Sequence, residues 1–230
     1  MDMRWLSKSQ INCWKQCPKK WYYRYILHLP QKPSDAMTRG IRIHSMLEDF
    51  YSFVKIENGK LIESNVIDTN ELDKFVKFEQ KRILSCLDKD GNFDLKYFNP
   101  VEQEAKVSDE KLHLRGFIDA IYINPEDGKL IIIDWKTGKY RPEAYSSYRF
   151  ELAMYKELYE KKTGKEVGYW GIYFIDAGKL FFEKVKPVSI KAMYKSVEKA
   201  RIGMESGEYP CKAGILCKWC DFNDKCQEWR

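Results

Sequence analysis

Several hallmarks of other protein classes are missing from this chain of 230 residues. No apolar run approaches the ~20 residues of a membrane-spanning helix, and the opening MDMRWLSKSQ has no hydrophobic signal core. An intracellular, cytoplasmic protein is the simplest expectation. No glycine fingerprint follows a candidate strand, which excludes a Rossmann dinucleotide unit. No segment repeats at a fixed period, which excludes a solenoid. A basic tail is also missing: 40 basic against 34 acidic residues leave +6, a mild bias toward polyanionic partners. Core-forming material, by contrast, is plentiful. A hydrophobic share of 44% with 15% aromatics excludes disorder, and the length suits one large domain or a core with appended pieces.

Chemistry concentrates in Leu112 to Lys139, LHLRGFIDAIYINPEDGKLIIIDWKTGK. Leu114 to Ile123 reads as a strand, and Asn124 to Gly128 supplies turn residues, with Pro125 unfit for a central ladder. Leu130 to Asp134 is nearly continuous branched aliphatic, as in a strand buried on both faces. Alternation carried through Lys136 puts Ile132, Asp134 and Lys136 on one face and Ile133 and Trp135 on the other. Asp119 on the preceding strand is the third charged member. Two buried carboxylates repel each other, and a divalent cation is the usual resolution.

Around this centre, Ser7 or Ser9 caps a helix to about Ile26, with a break or kink at Pro18, just after Cys17. Pro30 and Pro33 mark a loop. A helix from Ser34 or Asp35 to about Lys55 carries the stripe Ile43, Met46, Leu47, Phe50 and Val54. His44 lies beside that stripe, and Gly40 on the same face leaves room for another segment. Asn58-Gly59 turns, Glu71 to Leu87 forms a third helix with Cys86 as a buried thiol, and Asp90-Gly91-Asn92 breaks the chain. Pro100 to Val107, bearing Glu102 and Glu104, is the first strand of the main sheet. A helix from about Glu143 to Lys162 shows Tyr148, Glu151, Leu152, Tyr155, Leu158 and Tyr159 on one flank, and Gly164 closes it. Gly168 to Ile175 and Leu180 to Val185 pair as strands, and Ser189 caps a last helix to about Glu205. The order predicts a mixed α/β (α+β) sheet flanked by helices. Lysines and aromatics interleave at Lys15 to Tyr25 and Tyr140 to Tyr148, which suits nucleic-acid stacking and a solvated helix face equally.

Seven cysteines are present, an odd number, and four of them crowd the tail. Clustered cysteines in a reducing compartment argue for metal ligation over disulfides. Cys217-x2-Cys220, with Cys226 five residues further on, has ligand spacing. Cys211 as the fourth ligand would close a structural zinc site. A cysteine from the N-terminus would instead tie the chain ends together, and an iron–sulfur cluster also takes four thiolates. Spacing leaves both open.

Together, SKSQINCWKQCPKKWYYRY, RGIRIH, LRGFIDAIY, IIIDWKTG, ELAMY and CKWCDFNDKC resemble, in order, the RecB-like branch of the PD-(D/E)XK nucleases. The likeness is to its iron–sulfur members, the CRISPR-associated RecB-like exonucleases and the nuclease domain of AddB. It implies a single restriction-endonuclease-like domain over 1–230, divided as a cluster-binding segment 1–33, a helical segment 34–95, a nuclease core 96–186 and a helix with cluster tail 187–230. It implies His44, Asp119, Asp134 and the Trp135 carbonyl as ligands of Mn2+ or Mg2+, the imidazole favouring manganese. Lys136 would position or activate the attacking water. Glu151 and Tyr155 would complete the catalytic set, although the family usually has Gln where Glu151 stands. A carboxylate there either adds a metal contact or repels the DNA backbone. Glu102 is implied as a contact for a second metal or a water. Ile118 in place of Pro before Asp119 is common in this branch. Cys17, Cys217, Cys220 and Cys226 would hold a 4Fe–4S cluster joining the N-terminal helices to the tail, with Cys13 and Cys211 as bystanders. The implied activity is phosphodiester hydrolysis of single-stranded DNA or DNA ends by an exonuclease. The alternative is a non-catalytic DNA-binding or assembly subunit of a recombination or CRISPR-adaptation complex. No helicase motif is present, so unwinding would fall to a partner.

Overall fold

The computed structural model describes residues 3–31, 34–57, 60–62, 69–87 and 92–226. Helix α1 (Lys8–Gln16) starts where the Ser7 hydroxyl accepts the Gln10 N–H, and α2 (Pro18–Tyr25) follows after one residue. Of the break or kink expected at Pro18, the structure shows the break, giving two helices. Proline at the first position of α2 has no N–H and forces the preceding Cys17 extended, at φ −161°. Helix α3 (Asp35–Phe53) is capped by Ser34 and buries Ile43, Leu47 and Phe50, the stripe anticipated from spacing. A short hairpin, β1 (Lys55–Glu57) with β2 (Lys60–Ile62), was not anticipated; its Asn58-Gly59 turn lies outside the described residues, as do Pro33 and Asp90-Gly91.

Helix α4 (Thr69–Arg82) gives way to a 3-10 turn over Ile83–Cys86 before the expected end at Leu87. The tightening turns Ile83 and Cys86 into a small core with Phe98 of α5 (Leu95–Phe98). The main sheet follows: β3 (Glu102–Asp109), β4 (Leu114–Ile123) and β5 (Leu130–Lys136). Helix α6 (Tyr145–Thr163) ends at Gly164, whose φ of 69° is the left-handed cap expected of it. Strands β6 (Val167–Phe174) and β7 (Lys179–Lys184) complete the sheet. Helix α7 (Pro187–Glu205) begins at its proline rather than behind a Ser189 cap, because the fixed φ of Pro187 already suits a first helical position.

The five strands lie in chain order, all antiparallel except the β5–β6 pair, whose parallel crossover is made by α6. One core, with Ile11, Ile118, Ile132, Leu152, Trp170 and Met193, fills the space between the sheet and α1, α6 and α7. The other, with Ile43, Phe50, Phe75, Ala120 and Trp135, lies beneath α3 and α4. Along β5 the alternation holds as expected: Leu130 and Ile132 join the first core, and Ile133 and Trp135 the second.

Alternation fails at one level of the sheet, and that level positions the site. Ile118 and Ile121, three apart, both join the α6-side core, so β4 breaks step at the residues between them. On β3, Glu104 has φ 45° and is missing from the ladder, which pairs Gln103 with Ala120 and Ala105 with Ile118. Glu104 and Asp119 thus sit opposite each other at a shared irregularity. Strand β5 pairs with β4 only from Ala120 to Ile123, so the two strands diverge at Asp119. The vacated edge of β4 is taken by the N-terminus: Leu6 N–H donates to His113 O at 2.8 Å and Arg115 N–H to Leu6 O at 2.9 Å.

Tight packing behind the gap can be tested at Gly171, at the centre of β6. A Cβ there would lie 2.7 Å from the Phe181 carbonyl oxygen and 2.9 Å from Ile133 Cδ1. Gly171→Ala is expected to destabilise the fold by about 1–3 kcal/mol through overpacking, read by urea denaturation.

Candidate active site

The divergence of β4 from β5 opens a gap into which six elements send charged side chains. From β4, Asp119 accepts the Trp135 backbone N–H on Oδ2 at 2.5 Å, which pins the carboxylate across the gap. From α3, His44 Nδ1 lies 3.6 Å from Asp119 Oδ1 and 3.9 Å from Glu104 Oε1. Helix α3 approaches closely because Gly40 faces Thr137 at the end of β5, where an added Cβ would just touch the threonine hydroxyl at 3.5 Å. Among the described residues, His44, Glu104 and Asp119 form a set of three donors whose atoms lie within 4.8 Å of one another.

The second half of the site faces α6. Asp134 Oδ2 lies 2.5 Å from Lys136 Nζ, and Lys136 also donates to Glu151 Oε1 at 3.3 Å. The same Glu151 oxygen accepts the Tyr155 hydroxyl at 3.2 Å and the Lys8 ammonium of α1. The Tyr155 ring lies against β4 so closely that a Cβ on Gly116 would come within 2.7 Å of it. Residues expected from sequence thus converge in two groups. His44 and Asp119 meet on the α3 side, and Asp134, Lys136, Glu151 and Tyr155 meet on the α6 side.

Two members were missed. Glu102, the glutamate singled out on β3, is occupied by Tyr159 OH at 3.1 Å and Lys162 at 3.6 Å; the carboxylate beside His44 is Glu104. Regular alternation would give Glu102 and Glu104 one face, and the positive φ at Glu104 separates them. Lys8 is 143 positions from Glu151, and no local pattern announces the contact.

Crowding has electrostatic consequences. Burial, then the neighbouring Asp134, pushes the Asp119 carboxyl up to about 8. Burial and the facing Glu151 raise Asp134 to about 6. Burial would raise Glu151 too, but Lys136 and Lys8 overcome it and hold this carboxylate below its ordinary value. The Glu104 carboxylate, followed by Asp119 and Asp134, raises His44 against the effect of burial. Glu104 Oε1 is buried without a hydrogen-bond donor, whereas Asp134 Oδ2 has the Lys136 ammonium beside it. A buried carboxylate oxygen lacking a donor, with a second carboxylate and an imidazole beside it, is a donor set for a divalent cation, so His44, Glu104 and Asp119 fit one.

The sequence pattern of the PD-(D/E)XK nuclease superfamily matches residues 5–227. The chain belongs to that superfamily. Its nucleases use divalent metals, which agrees with the donor set in the gap. Among solved structures, a chain from Eubacterium rectale described as "Putative exonuclease" aligns at TM-score 0.55, with 14% identity over 96% of this chain and 89% of that one. At that identity the likeness speaks for the fold. A structure of the protein SSO0001 aligns at TM-score 0.41 with 15% identity, over 100% of this chain and 88% of its own. No curated protein matches in sequence. No helix among the described residues is long and apolar enough to cross a membrane.

Away from the gap, a cavity of about 250 Å³ is lined by Cys17, Cys211, Cys217, Cys220 and Cys226. Cys17 comes from the α1–α2 break and the other four from the tail. Backbone contacts stitch the two segments: Lys19 N–H to Pro210 O at 3.3 Å, and Lys212 N–H to Cys17 Sγ at 3.5 Å. Tyr209 stacks on Trp21 and Tyr22 with centroids 5.9 and 4.6 Å away. Cys211, expected as a bystander, lines the cavity with its Sγ 3.6 Å from that of Cys226, whereas Cys13 is buried in the α6-side core. Four thiolates on one zinc stand roughly 3.8 Å apart, from bonds of about 2.3 Å in a tetrahedron. No three of these thiols are gathered within 4.8 Å.

The raised Asp119 pKa has a measurable sign. An unfolded Asp titrates near 3.9, so in metal-free protein folding favours protonated Asp119, and that stabilisation is lost as pH rises from about 4 through about 8. Asp119→Asn keeps an acceptor for the Trp135 N–H and abolishes the titration. In chelator, it is expected to match wild type near pH 4 and exceed it at pH 8 by a few kcal/mol, on the order of the linkage energy. Denaturation curves at the two pH values check this.

Proposed function

We propose that the protein is a metal-dependent deoxyribonuclease that hydrolyses phosphodiester bonds of single-stranded DNA or DNA ends as an exonuclease. The observation that carries this reading is the convergence of Asp119, Asp134 and Lys136 at the β4–β5 gap, with His44 delivered from the opposite face of the sheet. His44, Asp119 and Asp134, with Glu104 and the Trp135 carbonyl, would hold Mn2+ or Mg2+. Such an ion supplies Lewis-acid charge at the phosphate and a nucleophile from water.

The side chains divide the remaining work. Asp119, fixed by the Trp135 N–H, presents its other oxygen toward His44 and needs no rearrangement to ligate. Lys136 keeps its charge: burial opposes it, but Asp134, Glu151 and Asp119 together raise its pKa. A cation held at that place can donate to a phosphoryl oxygen as negative charge develops there, a stabilisation present before the substrate arrives. Tyr155 donates to Glu151 and restrains that carboxylate beneath the lysine.

The assay is a time course on end-labelled single-stranded DNA with manganese, magnesium or chelator. Wild type is expected to ladder the DNA from one end only with metal. Asp119→Ala, Asp134→Ala and Lys136→Ala are expected to lose at least roughly a hundredfold in rate, the scale of deleting a transition-state donor or a ligand. Intact DNA in every lane, with the protein folded and bound to it, would replace the enzyme by a DNA-binding or assembly subunit.

Cys17, Cys217, Cys220 and Cys226 would hold a 4Fe–4S cluster whose task is to clamp the chain ends. The cavity that these cysteines share supports that reading. Cys17→Ala is expected to lose the brown chromophore and much of the thermal stability, and Cys211→Ala to keep both. The opposite pattern, with Cys211→Ala alone abolishing metal, would make the tail a zinc site.

A further inference from the structure

Glu151 is the most deeply buried carboxylate in the gap together with Asp134, each side chain 2–3% exposed, and three donors converge on its Oε1. Only one of them, Lys8, has no other assignment in the site. A buried carboxylate demands compensating charge, and an unpaired one costs several kcal/mol. Lys136 is therefore contested. Asp134 holds its ammonium at 2.5 Å, and Glu151 draws on it from 3.3 Å. Lys8 settles the contest by giving Glu151 a cation of its own.

The chain places Lys8 with care. Leu6 is hydrogen-bonded into the vacated edge of β4, and Ser7 caps α1, so Lys8 enters as the first residue of the helix. Two turns on, Lys15 lies over the ring of Phe150, the neighbour of Glu151, at 3.9 Å. Helix α1 is thus braced on α6 at both ends, and it ends at the cysteine that lines the tail cavity.

We propose that Lys8 is a positioning residue for the nuclease reaction: by neutralising Glu151 it leaves Lys136 to Asp134 and to the substrate. This inference rests on the nuclease reading. Among the described residues, loss of Lys8 leaves Lys136 as the only ammonium for Glu151, which draws its Nζ away from Asp134. The effect falls on turnover, because Lys136 is the group that would meet negative charge as it develops on the phosphate.

The test is a double-mutant cycle on the full chain with manganese and single-stranded DNA, using Lys8→Met, Lys8→Arg, Glu151→Gln and the Lys8→Met/Glu151→Gln pair. Lys8→Met is expected to lower kcat at least tenfold, with KM changed less than threefold and the cluster absorbance intact. Lys8→Arg restores most of kcat. In the Glu151→Gln background, whatever its own level, adding Lys8→Met changes kcat less than twofold. An equal loss in both backgrounds would overturn the proposal, because Lys8 would then act without Glu151, for example on a phosphate. No loss in the wild-type background would overturn it as well. A crystal structure of Lys8→Met reads the geometry independently of activity: Lys136 drawn to Glu151 supports the proposal, and Lys136 unmoved from Asp134 overturns it. Wild type that cleaves no DNA with any metal would instead defeat the nuclease reading, and the crystallographic arm would still decide the place of Lys8.

Discussion

The organising constraint is the mutual repulsion of four carboxylates, Glu104, Asp119, Asp134 and Glu151, gathered where two strands part. In water such a group would be unremarkable. Here two of the four side chains are 2–3% exposed, and at low dielectric neither burial nor crowding is cheap. Positive charge has to arrive from several directions at once. His44 comes from the helix on one face, Lys136 from the sheet itself, and Lys8 from a helix on the other face. No single element could supply all three, so the site exists only when both layers are docked on the sheet.

Backbone irregularity makes the gap possible. A sheet that alternated without interruption would send Asp119 wholly to one core and leave no edge for Leu6. The break in step at Asp119, matched by the positive φ of Glu104 across the ladder, turns two strands toward the same opening. A non-glycine residue in the left-handed region costs on the order of 1 kcal/mol or more. At Glu104 that cost accompanies a carboxylate aimed at an imidazole, which points to a ligand site rather than to a loose turn. The parallel β5–β6 pair behind it is packed tightly enough that Gly171 has no room for a methyl group, and this fixes the floor on which Asp134 and Lys136 stand.

What could be read from the chain divides along the range of the interactions. The alternation of β5 is a local property, and Asp134 and Lys136 lie on the anticipated face. The stripe of α3 and the Gly164 cap are local too. The break at Cys17 is also local, because proline acts on its predecessor as well as on itself. Glu104 escaped because strand periodicity assumes regular dihedrals, and one residue in the left-handed region reverses the face. Lys8 escaped because its partner is far away in sequence, and a lysine at a helix start is ordinarily a solvated one. The contest between two carboxylates for Lys136 is visible only when β5 and α6 are seen together.

The two ends of the chain now have a common logic. Neither the α1–α2 pair nor the tail contributes a strand to the sheet, and backbone hydrogen bonds between them are few. They are held by aromatic stacking around Tyr209 and by the Tyr23 hydroxyl donating to the Lys225 carbonyl, and they share the thiol-lined cavity. Surface stacking is worth about 1 kcal/mol per pair, little for anchoring two termini, whereas the proposed cluster, bound through four thiolates, would be a covalent tie. Helix α1 spans roughly 13 Å from Lys8 to Cys17 at 1.5 Å per residue, and it is rigid over that distance. With the proposed cluster at its cysteine end and a buried ion pair at the other, the helix would transmit position without any moving part. The thiol cavity and the charged gap are therefore two ends of one brace, and the carboxylate at its inner end is the one that competes for the lysine of the active site.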